Sequence, residues 1–114
     1  MIRRLSLRSD FDALRHDGRT VRRGPLRVRY LASPGGVHDP GVRVAYGIGR
    51  PVGNGVVRNR LRRRLRAAMT ALDAAGRLPA GDYLVRAEPR AAAATYRDLE
   101  AALETVVDDL GDGA

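Results

Sequence analysis

Between Gly53 and Met69 the chain reads Gly-Asn-Gly-Val-Val-Arg-Asn-Arg-Leu-Arg-Arg-Arg-Leu-Arg-Ala-Ala-Met, with six arginines (58, 60, 62, 63, 64 and 66) and Asn59 inside nine residues. Val57, Leu61, Leu65, Ala68 and Leu72 recur through it at three- and four-residue steps, the spacing of one apolar helix face. Arg58, Arg62, Arg66, Asn59 and Arg63 then fan out over the opposite side, and Arg60 and Arg64 flank the stripe. The nearest acid on the C-terminal side is Asp73, so few i±3 or i±4 carboxylates relieve the repulsion. Charge runs are usually solvated faces of structural helices. The density of charge here, set over a stripe that must be buried, favours a helix that docks on a core and offers its other side to a polyanion.

Outward from that helix, charge is unevenly shared. Residues 1–66 carry seventeen arginines and four aspartates, net +13; residues 67–114 carry four arginines and nine acids, net −5; the whole is +8. Every basic residue is arginine and none is lysine, which suits bidentate and stacking contacts with phosphate and base. With no cysteine in 114 residues, thiolate metal sites and disulfides are excluded, and a single domain over residues 1–114 is the natural size. Neither an apolar leader nor a run of 18 apolar residues occurs, so a cytoplasmic protein with no membrane association is expected.

Upstream, Ser9-Asp-Phe-Asp12 has capping-box spacing and predicts a short helix from Asp10 to about His16, closed by Asp17-Gly18. Phe11 is the only phenylalanine; core packing and base stacking are both open to it. Residues 24–32 alternate, Leu26, Val28 and Tyr30 against Arg27 and Arg29, which predicts a strand with one buried and one basic face. Residues 33–41 read as a loop, and Arg43 to Ile48 as a second strand. The glycines at 47, 49 and 53 do not have dinucleotide or phosphate-loop spacing and fit a tight turn into the helix, with Asn54 as its N-cap. Downstream, Asp82 to Ala87 predicts a third strand broken by Pro89, and Ala91 to Leu110 a last helix. Asp108 and Asp109 oppose the dipole at its end, so residues 107–114 are expected to fray.

In this order of elements, Val52-Gly-Asn-Gly-Val-Val-Arg-Asn-Arg-Leu-Arg-Arg63 resembles the signature of the bacterial ribonuclease P protein component, in which an Arg-Asn-Arg triplet follows Gly-Asn and opens a helix. Arg4-Leu5, Asp10-Phe11, Asp82-Tyr83 and Tyr96 agree with it, and the resemblance covers nearly the whole chain. It implies an α+β fold, a two-layer sandwich of helices on a twisted, mostly antiparallel sheet in the order α-β-β-α-β-α. It also implies a left-handed crossover through the arginine helix, against the roughly 98% right-handed rule, as in a domain shared by a small-subunit ribosomal protein and an elongation factor. The implied activity is endonucleolytic hydrolysis that removes the 5′ leader of precursor tRNA. A separate catalytic RNA subunit, with the substrate, holds the Mg2+ ions, and no obligatory protein partner is implied.

The same resemblance assigns Arg58, Asn59, Arg60, Arg62, Arg63 and Arg66 to RNA binding, and Phe11, Arg29 and Arg50 to a cleft for single-stranded leader. No residue is assigned to catalysis or to metal. Four positions depart from the family pattern: arginine replaces cleft aromatics at 15 and near 29, Arg64 stands at a usually apolar place, and Glu88-Pro89-Arg90 reverses the usual charge order. A structural ribosomal protein or RNA chaperone of the same fold is the alternative function. A DNA-binding protein is disfavoured by the absence of helix-turn-helix spacing and of coiled-coil heptads.

Overall fold

The computed structural model describes residues 2–32 and 41–112; the loop expected at 33–41 lies outside the described residues apart from Gly41. In chain order the elements are β1 (Ile2–Arg4), α1 (Arg8–Asp17), β2 (Arg19–Arg23), β3 (Leu26–Ala32), β4 (Val42–Gly47), a 3-10 turn (Arg50–Val52), α2 (Gly55–Ala74), β5 (Gly81–Ala87), a second 3-10 turn (Pro89–Ala93) and α3 (Tyr96–Asp112). The five strands form one sheet in the order β1-β4-β5-β3-β2. Antiparallel pairing predominates, with seven register pairs between β3 and β5 and five between β2 and β3, against six parallel pairs between β4 and β5 and three between β1 and β4. Because β4 and β5 are parallel neighbours, α2 is the crossover that joins them.

Strand alternation divides the sheet into an apolar and a basic face. Leu26, Val28, Val42, Val44, Tyr83 and Val85 are buried on one side, beneath Leu61, Leu65, Ala68, Met69 and Leu72 of α2 and Leu99, Leu103, Val106, Val107 and Leu110 of α3. Burial of side chains this size contributes roughly 1.5–3 kcal/mol each, which anchors the arginine helix whatever its other side does. On the second face, Arg43 of β4 makes a two-point ion pair with Asp82 of β5 (2.8 and 2.9 Å) and a third contact with Asp10 of α1 (2.9 Å). This clamps the start of α1 across the sheet. Leu5 and Leu14 are buried apart from the main core, so α1 has a small apolar seat of its own.

Several boundaries differ from the sequence reading for physical reasons. Strands β1 and β2 were not expected: β1 is three residues long, and β2 has Val21 as its sole apolar residue. The signal for β2 lies in its turn, where Gly24 (φ 53°) and Pro25 form a two-residue hairpin that sets Arg23 opposite Leu26. Helix α1 begins one residue before Ser9, with Leu7 at the N-cap and no side-chain cap. It ends at Gly18 as expected, but in an extended conformation (φ −73°); a Cβ there would lie 2.4 Å from the Leu14 carbonyl oxygen, so close approach rather than a left-handed turn excludes a side chain. The last helix starts at Tyr96 instead of Ala91, because the Thr95 and Asp98 side chains bond each other's backbone N–H (3.1 and 3.0 Å) in a capping box.

Among the described residues, the last helix does not stop at residue 107, where fraying was expected to begin. Helix α3 continues to Asp112, with Val107 and Leu110 buried. Arg19 donates to the Asp109 and Leu110 carbonyls (3.2 and 2.9 Å), and Arg23 pairs with the Asp109 carboxylate. Two arginines from the unforeseen strand β2 thus supply the positive charge that the helix end lacks.

Candidate nucleic-acid interface

Asn54 starts α2 as expected, its side-chain oxygen accepting from the Val57 N–H at 3.0 Å. From there the helix sorts its arginines into two groups. Asn59, Arg62, Arg63 and Arg66, with the 75% exposed Val56, line a shallow outward groove, and Arg62 is steadied by a 3.0 Å bond to the Asn59 side chain. Arg64 instead donates to the Ala94 carbonyl (3.1 Å) and Arg60 more weakly to that of Ala92 (3.5 Å), tying α2 to the second 3-10 turn. Arg58 is half-buried, its Nε shut off with no partner among the described residues, and it does not line the outward groove. Of the five residues expected on the outward side, Asn59, Arg62, Arg63 and Arg66 therefore line the groove and Arg58 does not.

A larger groove of about 730 Å³ runs from that row around the sheet edge. It is shared by Arg62 and Arg66 of α2, Arg3 and Arg4 of β1, Tyr46 of β4 and Phe11 of α1. Because β1 is so short, the end of β4 at this edge is left open, and the groove passes through the gap onto the basic face. There Ala45, Leu84 and Arg29 stand side by side across β4, β5 and β3. They lead toward a basin of about 490 Å³ lined by Thr20 and by Arg15, Arg22, Arg27, Arg29 and Arg86.

The three residues expected in one leader cleft are therefore dispersed. Phe11 lines the edge groove, Arg29 lines the basin, and Arg50 is exposed at the first 3-10 turn and lines neither. Arg29 is committed to structure, donating to the Leu14 and Arg15 carbonyls (2.7 and 2.6 Å) and to the Thr20 hydroxyl (2.8 Å). Arg15 meets Asp12 at 3.7 Å, whereas among the described residues no carboxylate pairs with Arg22, Arg27 or Arg86. Such a concentration of uncompensated guanidinium groups is suited to phosphate. Among the described residues no cluster of three or more histidines or acids could hold a metal ion, and no helix is long and apolar enough to cross a membrane.

Comparison with known proteins agrees with this architecture. The sequence model of the family described as Ribonuclease P matches residues 2–111. The chain belongs to the ribonuclease P protein family. The ribonuclease P protein component of Thermobifida fusca is 42% identical over 112 residues, covering 91% of this chain and 73% of that protein. That of Acidothermus cellulolyticus is 42% identical over 105 residues, covering 91% and 84%. The RNase P protein of Staphylococcus aureus shares the fold, with a TM-score of 0.80 at 21% identity over 94% of both chains. A ribonuclease P protein is a component of an RNA-cleaving complex, and membership implies an RNA partner.

The groove and basin also take in Arg15, Arg22, Arg27, Arg86 and Tyr46, none of which the sequence reading assigned to binding. Arg27 was legible as part of the basic strand face, and Arg86 shares that face through its pairing with Arg27. Arg22 depended on recognising β2, since it enters the basin only because it lies opposite Arg27 across the hairpin. Tyr46 shares the phase of buried Val44 and so reads as core until the open sheet edge is known.

Proposed function

We propose that this chain is the RNA-binding subunit of cytoplasmic ribonuclease P: the outward row of α2 binds the catalytic RNA, and the edge groove and arginine basin guide the 5′ leader of precursor tRNA. The observation that carries this reading is the sharing of Arg62 and Arg66 between the outward groove and the edge groove. One helix thereby places the RNA-facing surface beside the path onto the basic face, so that a leader leaving the cleavage site finds positive charge without a break. In the basin, guanidinium planes stand in for stacked aromatics, and the leader is held more by its phosphates than by its bases. Hydrolysis itself is assigned to Mg2+ bound by the RNA subunit and substrate. No step is assigned to a side chain of this protein.

Two measurements test the reading together. RNA-free protein is expected to leave precursor tRNA uncut at any magnesium concentration, and turnover near that of the reconstituted enzyme would overturn the assignment of chemistry to RNA. In salt titrations of the complex with the RNA subunit, replacing Arg62, Arg63 and Arg66 together by alanine should lower the slope of log affinity against log salt by about two to three. An unchanged slope with native circular dichroism would place the RNA surface elsewhere.

A further inference from the structure

Tyr46 presents a combination that packing alone does not explain. Its ring sits under the Arg66 guanidinium, 5.8 Å from carbon to ring centroid, within the reach of a cation–π contact. The residue packs against the main core and lines the edge groove with Arg62 and Arg66, yet its hydroxyl is closed off with no hydrogen-bond partner among the described residues. Burying an unpartnered hydroxyl is unfavourable, and a phenylalanine would fill the same space without that cost. Arg66 is likewise uncommitted: it lies over the tyrosine ring, and among the described residues it has no hydrogen-bond acceptor or carboxylate. A donor without an acceptor and a cation without an anion lie together at the wall of one groove.

We infer that Tyr46, Arg66 and Arg62 form a phosphate subsite in the edge groove, which takes a single phosphodiester of bound RNA. The inference rests on the proposed RNA-binding role and adds to it a particular set of donors. In the free protein, the Tyr46 ring holds the Arg66 guanidinium near the groove by stacking, which limits the rotamers the arginine must give up on binding. Binding requires Arg66 to turn from ring to phosphate and the Tyr46 hydroxyl to open to the groove, where it donates to a second phosphate oxygen. Arg62, one turn earlier on α2 and already steadied by Asn59, supplies the other charge. Burial pushes the Tyr46 phenol up to about 12, with the Arg66 charge opposing, so the group keeps its proton and remains a donor across the physiological range.

Tyr46→Phe separates this from a packing role, because it preserves the ring and removes only the donor. The full-length variant should melt at the same temperature as the parent chain or higher, since an unpartnered buried hydroxyl is gone. It should nevertheless bind RNA about tenfold more weakly, the order expected for losing one hydrogen bond to a charged group. Its salt slope should not change, because the phenol displaces no counterions, whereas Arg66→Ala should lower the slope by about one. Combining Tyr46→Phe with Arg66→Ala should weaken binding by less than the product of the two single effects if both groups act on one phosphate.

Two arms locate that phosphate. Loss of protein affinity for the catalytic RNA transcript would place it in the RNA subunit. Loss confined to precursor over mature tRNA, measured with reconstituted holoenzyme, would place it in the leader. Tyr46→Phe binding both RNAs as tightly as the parent chain would overturn the subsite, as would weakening accompanied by a lower melting temperature, or fully multiplicative effects in the double variant. If the Arg62, Arg63, Arg66 triple variant keeps its affinity and slope, the RNA-binding reading of α2 fails as well. Loss in the triple variant with no effect of Tyr46→Phe defeats the subsite alone.

Discussion

Arg27 and Arg29 stand two residues apart on one strand face, and period-two alternation gives them the same meaning. Their partners do not. Arg29 reaches the last turn of α1, where it bonds the Arg15 carbonyl and shares the Leu14 carbonyl with the Gly18 N–H, while Arg27 faces the basin with no carboxylate among the described residues. Arg29→Ala is therefore expected to lower the free energy of unfolding by about 1–3 kcal/mol, the range for hydrogen bonds made by a charged group. Arg27→Ala should leave stability within about 0.5 kcal/mol of the parent chain, as surface substitutions do, and should weaken RNA binding at low salt. Urea unfolding of both variants checks the contrast, and equal stability losses would show that Arg29 is not holding α1. Which of two like residues is structural could not be read from the sequence, because it depends on a helix fifteen residues upstream crossing that strand.

Among the elements, α2 was the most legible: its N-cap, apolar stripe and charged face all follow from local chemistry, and the structure withdraws only Arg58 from the outward side. Helix α3 shows how a local rule misleads. The run Ala91-Ala-Ala-Ala94 has high helix propensity, but it follows Pro89 and forms a 3-10 turn, and the helix waits for the Thr95–Asp98 box. Backbone and side-chain bonds from Thr95 draw the Asp98 carboxyl below its ordinary range, which agrees with an ionised cap. Thr95→Ala should cost about 0.5–2 kcal/mol in a denaturant titration at neutral pH. Strands β1 and β2 were illegible for the opposite reason, since neither carries enough apolar pattern to declare itself and both exist through pairing with longer neighbours. The dispersed cleft follows from this: without β1, neither the open edge of β4 nor the groove through it could be foreseen.

At the scale of the whole molecule, the all-arginine composition gives an unusual alkaline behaviour. Arginine stays protonated far above neutrality, and lysine and cysteine are absent, so tyrosine is the side-chain type that titrates as pH rises through 10. Burial raises Tyr30, Tyr46 and Tyr83 above the ordinary 10.0, Tyr46 to about 12. Each fold-raised phenol imposes no penalty below the unfolded value and an increasing one above it, because the unfolded chain ionises first. Urea midpoints should thus hold steady up to about pH 9 and fall between about pH 10 and 12. A midpoint independent of pH through that window would mean that the three phenols ionise freely in the folded chain.

The shortness of β1 also bears on how the chain survives before it meets RNA. A strand edge with open backbone groups is a template for a second copy, and proteins guard such edges with charge. Here β4 extends past β1 at one edge of the sheet, with Arg3 and Arg4 on the strand that stops short and Arg62 and Arg66 across the gap. The cations that line this gap also repel another copy of the same edge, so the open backbone of β4 is guarded against fibrillar stacking by charge where a covering strand is missing.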